Sequence, residues 1–115
     1  MVPAMVTDAE LVALPKAHLH LHLTGGMRRT TLKELAERHG VHLPDRLVDD
    51  EPDDWRELGW ARFQRLYDLA RGVLRTAADI ERIFCERAED ERAEGSRWLE
   101  LQVTPPATCR GSATW

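Results

Sequence analysis

Three histidines two positions apart, His18, His20 and His22, interleave with Leu19, Leu21 and Leu23. In an extended strand this alternation sends the imidazoles to one face and the leucines to the other, so the strand buries its leucines and still offers imidazoles to a metal. At a rise of roughly 3.3 Å per residue, side chains two positions apart leave the backbone about 7 Å from each other, close enough for two ring nitrogens to converge on one zinc ion at about 2.0–2.1 Å. One metal could therefore take two ligands from this strand. Thr24, Gly25 and Gly26 follow as turn residues and place the histidines at the strand's C-terminal end, where α/β barrels and open α/β sheets carry their sites. The spacing alone also fits an ordinary half-buried strand whose polar face meets water.

The elements that must hold this strand are readable downstream. Thr31 with Glu34 has the spacing of a capping box, Leu32, Leu35 and Ala36 form an apolar stripe, and Gly40 suits a C-terminal cap, which predicts a helix over 31–39. His39 and His42, at its end and in its exit loop, read as solvent-facing. Residues 46–54 are strongly acidic but lack the glycine-containing spacing of a calcium loop, so they read as a solvated linker. Trp60, Phe63, Leu66, Tyr67, Ala70, Val73 and Leu74 recur at helical spacing and predict a helix over 54–75, packed as core. Thr76 with Asp79 opens a further helix over 77–94, with Ile80, Ile83, Phe84 and Ala88 inward and Gly95 at its end. Leu99, Leu101 and Val103 alternate as a second strand over 98–104, expected to lie parallel and adjacent to the first, strand 17–23, through a long helical crossover.

Composition narrows the function classes. With 43% apolar and 31% charged residues in 115, the chain reads as globular, not disordered. No apolar run approaches the roughly 18 residues of a membrane span, and Met1 to Ala13 carries Asp8 and Glu10 without a signal-type core, so no membrane association and a cytoplasmic location are expected. Cys85 and Cys109 form no Cys-x-x-Cys pair, which leaves neither a disulfide framework nor a thiolate zinc site. The His-x-Glu and Pro-Cys-x-x-Cys signatures of cytidine-type deaminases are absent as well. Net charge is −4, and the arginines alternate with acids, as in Glu86-Arg87 and Asp90-Glu91-Arg92, a pattern of solvated helix faces and not of a nucleic-acid surface.

Pro15-Lys16-Ala17-His18-Leu19-His20-Leu21-His22-Leu23-Thr24-Gly25, then Thr31-Leu32, Glu34-Leu35-Ala36-Glu37-Arg38 and Gly40, then Phe63, Tyr67, Val73-Leu74-Arg75-Thr76, Asp79-Ile80 and Trp98-Leu99-Glu100-Leu101-Gln102-Val103-Thr104-Pro105, resemble the amino-terminal portion of the adenosine deaminase family. The resemblance implies an α/β fold, the N-terminal fragment of a (β/α)8 TIM barrel with two parallel strands and intervening helices. It also implies a zinc-dependent hydrolase that removes the 6-amino group of adenosine or a related aminopurine, an enzyme acting on a cyclic amidine C–N bond. His20 and His22 fall on that family's first two zinc ligands. His22, Thr24, Phe63 and Tyr67 fall on substrate-binding positions, the last two on a helical lid that covers the purine. Two positions depart from the family, which usually has acidic residues where this chain has His18 and Thr24. Thr24 can hydrogen-bond a sugar hydroxyl but brings no charge, which keeps adenine and other aminopurines open as substrates. His18, one step deeper in the strand, is expected to play a structural part and not to be a third ligand.

By the same resemblance the family's third histidine ligand, its aspartate ligand, its proton-handling glutamate and its water-positioning histidine and aspartate lie beyond this sequence. No catalytic residue is therefore assigned within it. The expected organisation is an N-terminal extension over 1–13, a partial deaminase-like domain over 14–105 and an aberrant or disordered tail over 106–115, as a truncated or frame-shifted product would have. The alternative function is a non-catalytic metal-binding or helper fragment, or a truncation product with no function.

Overall fold

The structure, a computed structural model, describes residues 5–45 and 59–104. The acidic linker expected at 46–54, the start of the helix expected from Asp54 and the tail expected after Pro105 lie outside the described residues.

Chain order is α1 (Asp8–Ala13), β1 (Lys16–His22), a 3-10 turn (Thr24–Gly26), α2 (Arg29–His39), α3 (Gly59–Arg71), α4 (Ala77–Ala93) and β2 (Ser96–Gln102). The two strands pair in parallel as one two-stranded sheet, so the expected barrel fragment is present with both strands within two residues of their expected bounds. Among the described residues no helix is long and apolar enough to cross a membrane.

Sequence reasoning left α1 unassigned within the extension, although its signal was there. Thr7 accepts from the Glu10 backbone N–H while the Glu10 carboxylate accepts from the Thr7 backbone, a complete capping box. The box expected at Thr31 and Glu34 does not form. α2 starts at Arg29 without a side-chain cap, and Thr31 is a fully buried interior residue whose hydroxyl donates to Glu86 Oε2 at 2.5 Å. Glu34 is drawn instead to Arg82, at 2.7 Å. Partners on α4 have claimed both side chains that local capping would have used.

These contacts belong to a longer row. Arg28 meets Asp90, Thr31 meets Glu86, Glu34 meets Arg82 and His39 meets Asp79, stepping up one helix while stepping down the other, so α2 and α4 lie antiparallel. His39 is a correction to the solvent-facing expectation. Its side chain is only 15% exposed and its Nε2 lies 2.8 Å from Asp79 Oδ2. His42 is exposed, as expected. The expected inward stripe of α4 also differs: Ile83 is buried and Ile80 half-buried, but Phe84 and Ala88 face outward. Charged groups that bond to β1, the 3-10 turn and α2 occupy the packed face in their place.

The apolar core is Leu23, Leu32, Leu35, Ala36, Val73, Leu74 and Ile83, with Leu101, Ala70 and Ile80 packed against it. It joins the end of β1, the inner face of α2, the segment after α3 and the first half of α4. α3 ends at Arg71, earlier than expected. The backbone N–H groups of Gly72, Val73 and Leu74 close turns on Leu69, Ala70 and Arg71, and this carries Val73 and Leu74 into the core outside the helix. α2 ends on Gly40, and its φ of +64° is the left-handed conformation expected of a glycine cap.

Asp79 fixes the start of α4. Its Oδ2 accepts from the backbone N–H groups of Arg75 and Thr76 as well as from His39, and the Thr76 hydroxyl accepts from the Asp79 N–H. Burial alone would raise this carboxyl, but the N–H donors of Arg75 and Thr76, with Thr76 and His39, outweigh it and hold the group below its ordinary value. A carboxylate lowered in the folded state contributes stability above its unfolded value of about 4 and loses it as the pH falls further. Asp79→Asn should therefore cost roughly 2 kcal/mol at neutral pH, and its melting temperature should converge on the parent's below about pH 4. Thermal melts across pH check this.

Gly95 turns the chain from α4 into β2 at φ +80°, and a Cβ there would collide with the Val12 carbonyl oxygen. Gly40 has similar φ with open space around it. Gly95→Ala should destabilise by about 2 kcal/mol or more and Gly40→Ala by about 1 kcal/mol, with denaturant unfolding reading the collision as the difference between them.

Candidate metal and substrate site

The alternation expected of β1 does not run through the strand. His18 pairs with Leu99 and Leu21 with Leu101, so three steps on β1 match two on β2, and a bulge lies between them. His20 sits in it with φ +60°, the one non-glycine residue with positive φ among the described residues. The bulge divides the histidines. His18 and Leu21 turn toward the helices and are half-buried, whereas Leu19, His20 and His22 are exposed. Three histidines on one face is thus corrected to two. The signal was invisible in the sequence because an extra strand residue is a property of the pairing, not of the residues.

The remaining pair is close. The His20 and His22 ring centroids are 5.1 Å apart, with planes at 76°. An ion held at about 2.0–2.1 Å by one nitrogen of each ring lies roughly 3.2 Å from each centroid, and a near-tetrahedral angle then separates the centroids by about 5 Å. The separation of the rings matches that of two imidazoles on a shared ion, and imidazole suits zinc. Among the described residues no group of three or more His, Cys, Asp or Glu side chains gathers to complete a donor set.

On the helix side of β1, His18 Nδ1 lies 2.7 Å from Glu91 Oε1. A carboxylate only accepts, so Nδ1 carries the proton and donates. Arg87 Nη2 donates to the same oxygen at 2.9 Å, and Arg87 Nη1 reaches the Gly26 carbonyl at 3.4 Å. Glu91 is buried, its side chain 4% exposed. Burial would raise its carboxyl, but Ser96, His18 and Arg87 around it prevail and hold it below the ordinary range. Sequence reasoning placed Glu91 on a solvated face. The usable signal was helical spacing, since positions 83, 87 and 91 share one face of α4 with buried Ile83.

The substrate residues expected by resemblance fall into two places. α3 packs over the 3-10 turn so that a Cβ on Gly25 would stand 3.7 Å from Tyr67 Cε2 and 3.9 Å from His22 Cβ. Tyr67 and His22 therefore flank the same glycine. Phe63 continues outward from Tyr67, with centroids 6.1 Å apart and rings nearly parallel, and Trp60 follows Phe63 at 5.7 Å. Trp60, expected in the core, is 75% exposed because α3 buries only the side nearer its C-terminal end. Thr24 points elsewhere. It lines a small cavity with Leu23, Arg71, Leu74, Ile80, Val103 and Thr104 at the C-terminal ends of both strands.

The sequence model of the adenosine deaminase family matches residues 15–112, past the last residue quoted above for the resemblance. A putative adenosine/adenine deaminase of Streptomyces virginiae is 57% identical over 99 residues, covering 84% of this chain and 29% of its own length. An adenosine deaminase of Vibrio atlanticus is 34% identical across 84% of this chain and 30% of its own, and an adenine deaminase of Sphingopyxis alaskensis 33% across 91% and 31%. The chain spans less than a third of the length of each of these relatives. No solved structure gives a match. With two parallel strands joined through helices and a family match across most of its length, this chain belongs to the adenosine deaminase family.

Proposed function

We propose that this chain carries the first metal-ligand pair and part of the substrate pocket of a zinc-dependent hydrolase that deaminates adenosine or a related aminopurine. The observation that carries the reading is the proximity of His20 and His22, both exposed, at the C-terminal end of β1, with ring centroids 5.1 Å apart. Zinc in such a site supplies a water acidified to a pKa of about 7, a nucleophile available at neutral pH.

The chain's own residues have narrower tasks. His20 and His22 hold the metal as neutral imidazoles. Tyr67, beside Gly25, and Phe63, stacked on it, cover an aromatic base and keep water from its apolar face. Thr24 lines the separate cavity at the strand ends, where its hydroxyl has one donor and two acceptor positions and no charge to offer a sugar. None of these groups transfers a proton to a purine ring.

Two histidines leave most of the coordination sphere to water, so Zn²⁺ binds weakly and reversibly to the 115-residue chain. Calorimetric titration should show His20→Ala and His22→Ala each losing roughly tenfold or more in affinity. Equal affinity in parent and both variants would refute the assignment of the pair.

The same chain should release no ammonia from adenosine above background at neutral pH with zinc present. Chelator-sensitive turnover at about 1 s⁻¹ or faster would contradict this account of its residues.

A further inference from the structure

Glu91 connects to both ends of the segment that carries His20 and His22. Below the bulge it receives the His18 N–H, two residues before His20. Above it, the Arg87 guanidinium that bonds Glu91 also reaches the carbonyl of Gly26, four residues after His22. Between these two anchors the β1–β2 register breaks, and His20 holds a left-handed φ that a histidine rarely adopts. The apolar core grips the segment only beyond the bulge, through buried Leu23 and half-buried Leu21, while Leu19, His20 and His22 are exposed. The polar contacts that α4 makes to this segment are one buried carboxylate and the guanidinium beside it, and they bracket the bulge that the apolar contacts of Leu21 and Leu23 leave untouched. A buried carboxylate must keep its partners, because losing one leaves charge unsatisfied in a dry place. Glu91 therefore couples the position of α4 to the position of the histidine pair.

We propose that Glu91 is a positioning residue for the His20–His22 pair, acting through His18 on one side of the bulge and through Arg87 on the other. This rests on the reading of His20 and His22 as a metal-binding pair.

The test is a Co²⁺ titration of the full 115-residue chain, followed by visible absorption and by the imidazole resonances of His20 and His22. Glu91→Gln keeps the side chain's shape and removes its charge. It should weaken Co²⁺ binding about tenfold or more and change the absorption spectrum, as loss of a group that orients ligands does. Glu89→Gln, on the exposed side of the same helix, should bind within about twofold of the parent. His18→Asn leaves Glu91 intact and puts an amide donor near the place of Nδ1, so it should retain most of the affinity, whereas His18→Leu should lose it as Glu91→Gln does. The His18 variants decide the matter even if Glu91→Gln does not fold. Parent-like affinity and spectrum in a folded Glu91→Gln, or equal binding by His18→Asn and His18→Leu, would overturn the proposal. If His20→Ala and His22→Ala also bind as the parent does, the metal reading itself fails. If those two lose affinity while the Glu91 and His18 variants do not, only the positioning role fails.

Discussion

The extra residue in β1 between His18 and Leu21 is the constraint on which the rest of this structure turns. It places His18 among the helices and His20 with His22 in the open, and it does so through a positive φ that is uncommon for any residue but glycine. Such a conformation persists only where the surroundings dictate it. Here they do so through polar groups, because the bare face of the sheet offers nothing to pack against among the described residues. The same logic repeats in β2, where Arg97 is the extra residue between Ser96 and Trp98 and leaves Arg97 and Trp98 both exposed.

Charged and polar pairs also define how the helices meet. The apolar core is small, and α4 contributes only Ile83 to its fully buried part. Beside half-buried Ile80, its other inward positions carry Asp79, Glu86, Arg87 and Glu91, each with a named partner on α2, β1, the 3-10 turn or α4 itself. Directional bonds of this kind specify which residue lies opposite which. An apolar stripe would permit several offsets of α2 along α4, whereas the row from Arg28–Asp90 to His39–Asp79 matches at one.

Much of this was legible in the sequence, and the failures share a cause. Hydrophobic alternation located both strands, Thr76 with Asp79 marked the start of α4, and Gly40 marked the end of α2, since each signal is read from neighbours along the chain. Thr31, Glu34, His39 and Glu91 were misplaced because their partners lie more than 35 positions away, and a polar side chain looks solvent-facing until its partner is known. For the candidate site, the histidine spacing allowed one metal two ligands from this strand, the resemblance singled out His20 and His22, and the rings of those two lie 5.1 Å apart. The division of the third from them depends on strand register, which no local pattern records. Phe63 and Tyr67 were reached through family resemblance, and the stack they form beside Gly25 is a product of α3 docking on the turn.

A bulge makes the chemistry of β1 depend on the number of residues as well as on their identity. Because side chains alternate, the face a histidine occupies is a matter of phase, and the bulge resets that phase partway along the strand. One residue more than the bulge already holds would exchange the environments of everything after it, moving imidazoles into the helix layer and leucines into the open, whereas one residue fewer would abolish the bulge and make the pairing regular. A substitution at Leu19 or Leu21 leaves the phase alone. Along this segment evolution is therefore freer to vary letters than to vary length, and the polar anchors at His18 and Gly26 mark the limits within which that count must hold.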